Sequence, residues 1–120
     1  MLQAEEVIRA LNLQPHPKEG GFFVETYRSK GSIPKAHLPE IYSGDRSYST
    51  AIYYLLTPET CSAMHRLSTD EVFHFYLGDA VIQLHLRPDG SSEVVTLGSA
   101  ILSGQRPQIV VPGETWQGAC

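Results

Sequence analysis

Hydrophobic residues recur at helical spacing only near the start of the chain. The residues on the apolar side of this segment are Leu2, Ala4, Val7, Ile8 and Leu11. Polar and charged residues occupy the other side, which is typical of an amphipathic helix. Pro15 and Pro17 follow closely. Because proline disfavours helical conformation in the residue before it, we predict that the helix ends near Asn12.

From residue 22 onward the pattern changes to short runs rich in β-branched and aromatic residues, each bounded by glycine, proline or polar residues. We predict strands at residues 22–28, 50–56, 61–67, 71–77, 81–86, 93–97 and 109–111. Pro88-Asp89-Gly90 predicts a hairpin turn. Residues 29–46 contain two glycines and two prolines and predict a long loop, either a binding loop or a disordered segment. One helix and many short strands indicate a small all-β sandwich or barrel.

Length and composition further limit the number of domains and the kinds of partner that this protein can have. A chain of 120 residues predicts one domain with one core. The net charge of -4 and the absence of a basic cluster argue against nucleic acid or an anionic membrane as a partner. The longest apolar run, residues 51–56, is far shorter than the roughly 20 residues of a membrane helix, and the acidic N-terminus does not resemble a signal peptide. We therefore expect a cytoplasmic protein, with Cys61 and Cys120 as free thiols rather than a disulfide.

The segment from His65 to Gly78 concentrates the candidate chemistry. A polar connection at 68–70 predicts that strands 61–67 and 71–77 are antiparallel neighbours, which would place Glu71 near His65. Glu71, Phe73 and Phe75 then share one face of their strand, and Val72, His74 and Tyr76 share the other. Such a pair in an aromatic-walled cavity could bind a metal or perform acid–base chemistry. His85 alternates with apolar residues and is expected to be either a surface histidine or one whose hydrogen bonds are partly satisfied.

This segment resembles the first motif of the cupins, H-x-H-x(3,4)-E-x(6)-G, with His65, Glu71 and Gly78 at its first, third and last positions. Pro112 and Gln117 match the first and last positions of the second motif, P-x-G-x-x-H, with Gln in place of His. The chain is more closely similar to the cupin_5 subgroup. That similarity runs through residues 11–21, 25–29, 49–56, 65–78 and 104–113, followed by Trp116 and Gln117. The resemblance implies one domain over residues 1–120, a cupin-type double-stranded β-helix (jelly-roll barrel) with one short N-terminal helix.

Two departures from the family pattern bear on mechanism. The cupin metal site uses three histidines and one glutamate, but this chain has Leu67 and Gln117 at two of the histidine positions. Only His65 and Glu71 remain, and two protein ligands are too few for a tight transition-metal site. We therefore expect no metal cofactor. A divalent metal bound weakly by His65 and Glu71, as part of a metal-dependent enzyme, is the alternative.

The metal-free interpretation is a pocket for a small polar ligand of the sugar or nucleotide-derivative class. The resemblance to metal-free cupin epimerases suggests His65 as a base, with Glu71 as its catalytic partner. The candidate ligand-binding residues are Gln117, Phe73, Phe75, Thr50, Trp116 and Arg28. For Trp116, a core or interface position is an equal alternative, and for Arg28 a dimer interface is the other interpretation. A structural dimerisation module without catalysis is the remaining rival.

The resemblance also bears on assembly. Cupin family members continue beyond the second motif, whereas this chain ends at Cys120. We expect the last strand or strands of the barrel to be lacking, which would leave open sheet edges. Exposed edges invite pairing with another chain, so we expect a homodimer.

Overall fold

The N-terminal helix, α1, spans Ala4–Leu11 in the computed structural model, which describes all of residues 1–120. Asn12 ends the helix in the left-handed conformation, with φ of 56°, at the predicted position. The backbone N–H of Gln3 donates to Glu6 Oε1 at 3.1 Å and so satisfies one of the free donors at the helix start. No helix of the chain is long and apolar enough to cross a membrane.

The chain divides into two compact units, residues 1–59 and 60–120. The first unit contains α1 and five strands. These strands are β1 (Gln14–Pro15), β2 (Phe22–Arg28), β3 (Ser32–Ile33), β4 (Arg46–Ser47) and β5 (Thr50–Leu55). β1, β2 and β5 form an antiparallel sheet in that order, while β3 pairs with β4. The predicted loop at 29–46 therefore contains this small strand pair and a short 3-10 helix, Lys35–His37.

The second unit contains the remaining six strands in two sheets. They are β6 (Ser62–Arg66), β7 (Glu71–His74), β8 (Val81–Leu86), β9 (Ser92–Leu97), β10 (Gln108–Val111) and β11 (Trp116–Ala119). β6, β11, β8 and β9 form one sheet in that order, and β10 pairs with β7. The predicted β8–β9 hairpin is confirmed. Leu97, Ile109 and Val111 form the buried core, against which Phe73, Phe75, Val81 and Val95 pack.

The expected hairpin between the strands that carry His65 and Glu71 is wrong. β6 pairs with β11, and β7 pairs with β10. The polar connection 68–70 crosses between the two sheets, and the turn before β11 forms hydrogen bonds to Asp70 and to the neighbouring Leu67. Gly113 N donates to Asp70 Oδ1 at 2.8 Å, and Glu114 N donates to Leu67 O at 2.7 Å. A Cβ on Gly113 would lie 2.6 Å from Ser68 O, so only glycine allows this close approach.

The expectation of two free thiols is also wrong. Cys61 and Cys120 form a disulfide with their Cα atoms 4.6 Å apart. Cys61 precedes β6 and Cys120 follows β11, and the antiparallel pairing of these strands brings the two residues together. The disulfide therefore fastens one end of the strand pair that carries His65 and Gln117.

The strand content and the single short helix confirm the predicted all-β class, although the sheets do not close into a complete barrel. The assignment of residues 1–120 to one domain stays a prediction.

Candidate functional site

Gln117 brings together the polar residues singled out in the sequence. It lies on β11 directly opposite His65 on β6, and opposite residues of an antiparallel pair point to the same face of the sheet. Its side-chain Nε2 donates to Glu71 Oε1 on β7 at 2.9 Å. His65, Glu71 and Gln117 are thus grouped, although the pairing of strands that groups them is not the predicted one.

The His65 ring has a defined tautomer. Its Nδ1 lies 2.8 Å from the backbone oxygen of Ala63, and because a carbonyl oxygen only accepts, Nδ1 is the protonated nitrogen. Nε2 of the neutral ring therefore carries the lone pair, and this nitrogen is buried. A histidine held in this way offers Nε2 as a hydrogen-bond acceptor or as a base.

The structure adds two residues to this face that the sequence interpretation missed. Gln117 is also directly opposite His85 on β8, and Gln83 lies two residues before His85 on the same face. Gln83, His85 and Gln117 are only 2%, 3% and 4% exposed. Of the two alternatives for His85, the surface position is therefore wrong, whereas a partly satisfied histidine agrees with its contact to Gln83. The alternation of residues along 81–86 indicated a strand. This strand buries its polar face, which carries Gln83 and His85, rather than its apolar face.

His85 and Gln83 interact with each other. Nε2 of His85 lies 2.9 Å from Gln83 Oε1, and as an amide oxygen only accepts, Nε2 donates. Burial lowers the pKa of His85; the nearby carboxylate of Glu93 works against this shift, and Arg87 works with it. His85 therefore stays neutral near pH 7.

The aromatic residues of the predicted pocket lie where the strand pattern placed them. Phe73 and Phe75 are partly buried and follow Glu71 at alternate positions, while Val72, His74 and Tyr76 are exposed. Phe73 and Phe75 also pack against the Leu97–Ile109–Val111 core. They form the apolar side of the region around Glu71, and a direct ligand contact by them stays a prediction.

Of the three other candidates, Trp116 belongs to the second unit, and Arg28 and Thr50 belong to the first. Trp116 is 44% exposed on the face of β11 opposite to Gln117, with the Arg66 guanidinium 5.4 Å from its ring centre. This position contradicts a place for Trp116 in the same pocket as Gln117, because successive strand residues point to opposite faces. In the first unit, Arg28 and Thr50 are opposite each other on β2 and β5. Arg28 is engaged by Glu25 at 2.6 Å and by Ser47 Oγ at 3.1 Å.

The residues present do not fit the metal site of the cupin pattern. No group of three or more His, Cys, Asp or Glu side chains lies close enough to hold a metal ion. Leu67 cannot coordinate, and Gln117 directs its amide N–H₂ to the Glu71 carboxylate. Glu71 Oε1 accepts a hydrogen bond from this amide, so it takes part in a hydrogen-bonded group rather than in a cupin metal site. We therefore derive no chemical step through a metal.

Comparison with known proteins places this architecture in a family. The family model Cupin_5, "Cupin superfamily (DUF985)", matches residues 5–120. The uncharacterized protein YML079W of Saccharomyces cerevisiae is 30% identical over 114 residues, which are 91% of this chain and 56% of that protein. The chain thus spans little more than half the length of this relative.

Two solved structures are also similar. Protein SO0799 from Shewanella oneidensis has a TM-score of 0.87 and 31% identity, covering 100% of this chain and 70% of its own. A hypothetical protein from Leishmania major has a TM-score of 0.88 and 31% identity, covering 98% of this chain and 69% of its own. These matches confirm the predicted jelly-roll fold. The names of these proteins carry no activity, so the chemistry has to be argued from the site.

Proposed function

The chain belongs to the Cupin_5 family of the cupin superfamily, and on that premise we propose that it binds a small polar ligand beside His65, Glu71 and Gln117 without a metal. One observation carries the proposal: the Gln117 amide links Glu71 on one sheet to the position opposite His65 on the other. Burying such groups costs free energy unless they are hydrogen-bonded, and they offer a polar ligand acceptors and donors. The expected ligand class is a sugar or nucleotide derivative.

The enzymatic version of this proposal is an epimerase or isomerase. His65 Nε2 would take a proton from a carbon next to a carbonyl group, forming an enolate and an imidazolium. Epimerisation would then require delivery of a proton from solvent to the opposite face of the same carbon, while the His65 imidazolium releases its proton to solvent, with no net redox change. The donation from His65 Nδ1 to the Ala63 carbonyl supports this role, because it leaves Nε2 as the basic nitrogen. Glu71 and Gln117 would orient the substrate.

A ligand screen tests the proposal. We expect a subset of sugars, sugar nucleotides and nucleotides to raise the melting temperature of the wild-type protein. This shift should disappear in His65→Ala and Gln117→Ala. His74→Ala is the matched control, since His74 belongs to the same motif but is exposed. Stabilisation that is equal in all four proteins would contradict the site. For the enzymatic version, exchange of a substrate C–H with deuterated solvent should require His65.

We also propose that the chain forms a homodimer, which a separate observation favours. The outer face of the β6–β11–β8–β9 sheet carries large apolar side chains that are 38% to 65% exposed: Met64, Ile82, Leu84, Leu86, Val94 and Trp116. Together they expose on the order of 500 Å² of apolar surface, at the upper end for a monomer. A standard interface buries about 800 Å² per partner, most of which this face supplies.

A second copy is the occupant that suits this face best. An apolar sheet face can pack against its own symmetry mate, as in a sandwich of two sheets. The Arg66–Glu114 ion pair places one positive and one negative charge beside this apolar face, which suits a two-fold contact. Sedimentation equilibrium should give a dimer that Leu84→Glu converts to monomer. Val72→Glu, 47% exposed on β7, is the control that should stay dimeric. A monomeric wild type would refute this proposal.

A cytoplasmic location stays a prediction. The Cys61–Cys120 disulfide argues for an oxidising compartment instead. Alkylation of thiols in intact cells followed by mass spectrometry decides between the cytoplasm and an oxidising compartment. A cytoplasmic protein should be recovered with both cysteines alkylated.

A further inference from the structure

The four-stranded sheet of the second unit buries its polar face and exposes its apolar face along β8. Gln83 and His85 are buried, whereas Ile82, Leu84 and Leu86 are exposed. Shifting a strand by one residue would exchange the two faces, so register decides which set is buried. The pairing of β8 with β11 on one side and with β9 on the other fixes this register.

The buried polar residues form a continuous row. Gln117 is opposite His65 on one neighbouring strand and His85 on the other. His65 and His85 are therefore two strands apart, with their backbones about 10 Å from each other. Gln83 supports His85 from the same strand. A ligand that contacts both histidines would therefore have to reach across the Gln117 amide.

The charges of the second unit argue against a strongly anionic ligand beside this row. The second unit contains three arginines and no lysine, against six acidic residues. Arg66 pairs with Glu114, Arg87 pairs with Glu93, and Arg106 is exposed and donates to backbone carbonyls. Each arginine of the second unit is thus already engaged by a partner other than Glu71. Glu71 itself would repel an anion.

From this arrangement we infer that Gln83 and His85 form the second half of the ligand site, and that the site takes an uncharged, hydroxyl-rich molecule such as a monosaccharide. The inference rests on the proposed function, since it extends the site of His65, Glu71 and Gln117. Hydroxyl groups both donate and accept. They can donate to His65 Nε2 and the Glu71 carboxylate, and they can exchange hydrogen bonds with the two amides.

The test compares neutral sugars with their charged derivatives. Glucose, galactose and rhamnose are titrated into the protein beside glucose 1-phosphate and UDP, with binding followed by calorimetry. At least one neutral sugar should bind about tenfold more tightly than the phosphate compounds. Tighter binding of glucose 1-phosphate or UDP, or binding of none of the probes, would overturn the inferred ligand class.

A double variant, Gln83→Met with His85→Phe, tests the residues. Replacing both partners of a buried hydrogen bond by apolar groups of similar size is often nearly neutral for stability. We therefore expect an unchanged melting temperature and at least about tenfold weaker sugar binding. Gln108→Met, at an exposed position of β10, is the control and should bind like the wild type. Normal binding by a destabilised double variant would overturn the inference, because these residues would then serve the fold alone.

Two further results separate this inference from the proposed function. Loss of binding in His65→Ala but not in the double variant would leave the proposed function standing and refute the role of Gln83 and His85. Loss of binding in the double variant but not in His65→Ala or Gln117→Ala would refute the proposed function and leave the role of Gln83 and His85 standing. If the double variant does not fold, the imidazole NMR signals of His85 in the wild type must shift when sugar is added. An unchanged signal at saturation would refute the inference.

Discussion

The Cys61–Cys120 disulfide joins the start of β6 to the end of β11, the two strands that carry His65 and Gln117. We predict that replacing both cysteines by serine lowers stability but leaves the strand order intact. β11 remains paired with β8 beyond the disulfide, since Cys120 and Ile82 exchange two backbone hydrogen bonds, at 2.9 and 3.0 Å. The perturbation therefore acts mainly on the unfolded chain.

The magnitude follows from the length of the loop that the disulfide closes. The two cysteines are 59 residues apart in sequence. In the chain-entropy model, closing a loop of this length stabilises the folded state by about 4 kcal/mol at 25 °C. For a chain of this size, that free energy corresponds to a fall in Tm on the order of 15 °C.

Thermal unfolding followed by circular dichroism measures this effect. The oxidised wild type and the double serine variant are compared with and without a reducing agent. Reductant should lower the Tm of the wild type to that of the variant, and it should leave the variant unchanged, which makes the variant its own control. A variant whose Tm lies within about 3 °C of the oxidised wild type would refute the entropic reasoning.

Three further predictions concern the site and its supports. Leu67→His combined with Gln117→His should create a three-histidine, one-glutamate set that retains one equivalent of Mn²⁺ or Ni²⁺ after gel filtration, whereas equal retention by the wild type would contradict our metal-free assignment. His85 has a lowered pKa in the folded state, so only the unfolded chain takes up a proton readily below its usual value of 6.5. Stability should fall as pH drops below that value, and the fall should be shallower in His85→Gln, as measured by Tm between pH 8 and 5. An equal slope in both proteins would mean that His85 does not carry the effect. Gly113→Ala should cost about 1–3 kcal/mol in chemical unfolding because its Cβ would meet Ser68 O at 2.6 Å, and an unchanged midpoint would show that the turn can adjust.

Local patterns in the sequence identified most strands because each strand is defined by its own residues and its bounding turns. β2 begins and ends at the predicted residues, Phe22 and Arg28, and so does β8, Val81–Leu86. The buried face of β8 could not be predicted in the same way. Apolar residues usually point inward, but here the neighbours of β8 set the register, and they place Gln83 and His85 inside.

The grouping of the candidate site was predicted for a partly wrong reason. The sequence interpretation placed Glu71 near His65 through a local hairpin, whereas the Glu71 link runs through Gln117, 46 residues further along the chain. The cupin motifs indicated Gln117 as a site residue, but not its hydrogen-bond partner. The disulfide was missed for a similar reason, because the proximity of Cys61 and Cys120 depends on the long-range pairing of β6 with β11.

The exchange of a histidine for Gln117 changes what the Glu71 carboxylate requires. In a metal site a glutamate is neutralised by the cation that it coordinates. A carboxylate without a cation has to be stabilised by hydrogen-bond donors, and the Gln117 amide supplies one at 2.9 Å. On the proposed function, a ligand that adds hydroxyl donors to the same carboxylate would be stabilised, and an added anion would be repelled. Gln117, one of the two departures from the cupin metal pattern, is thus also the residue on which the proposed preference for an uncharged, hydrogen-bonding ligand rests.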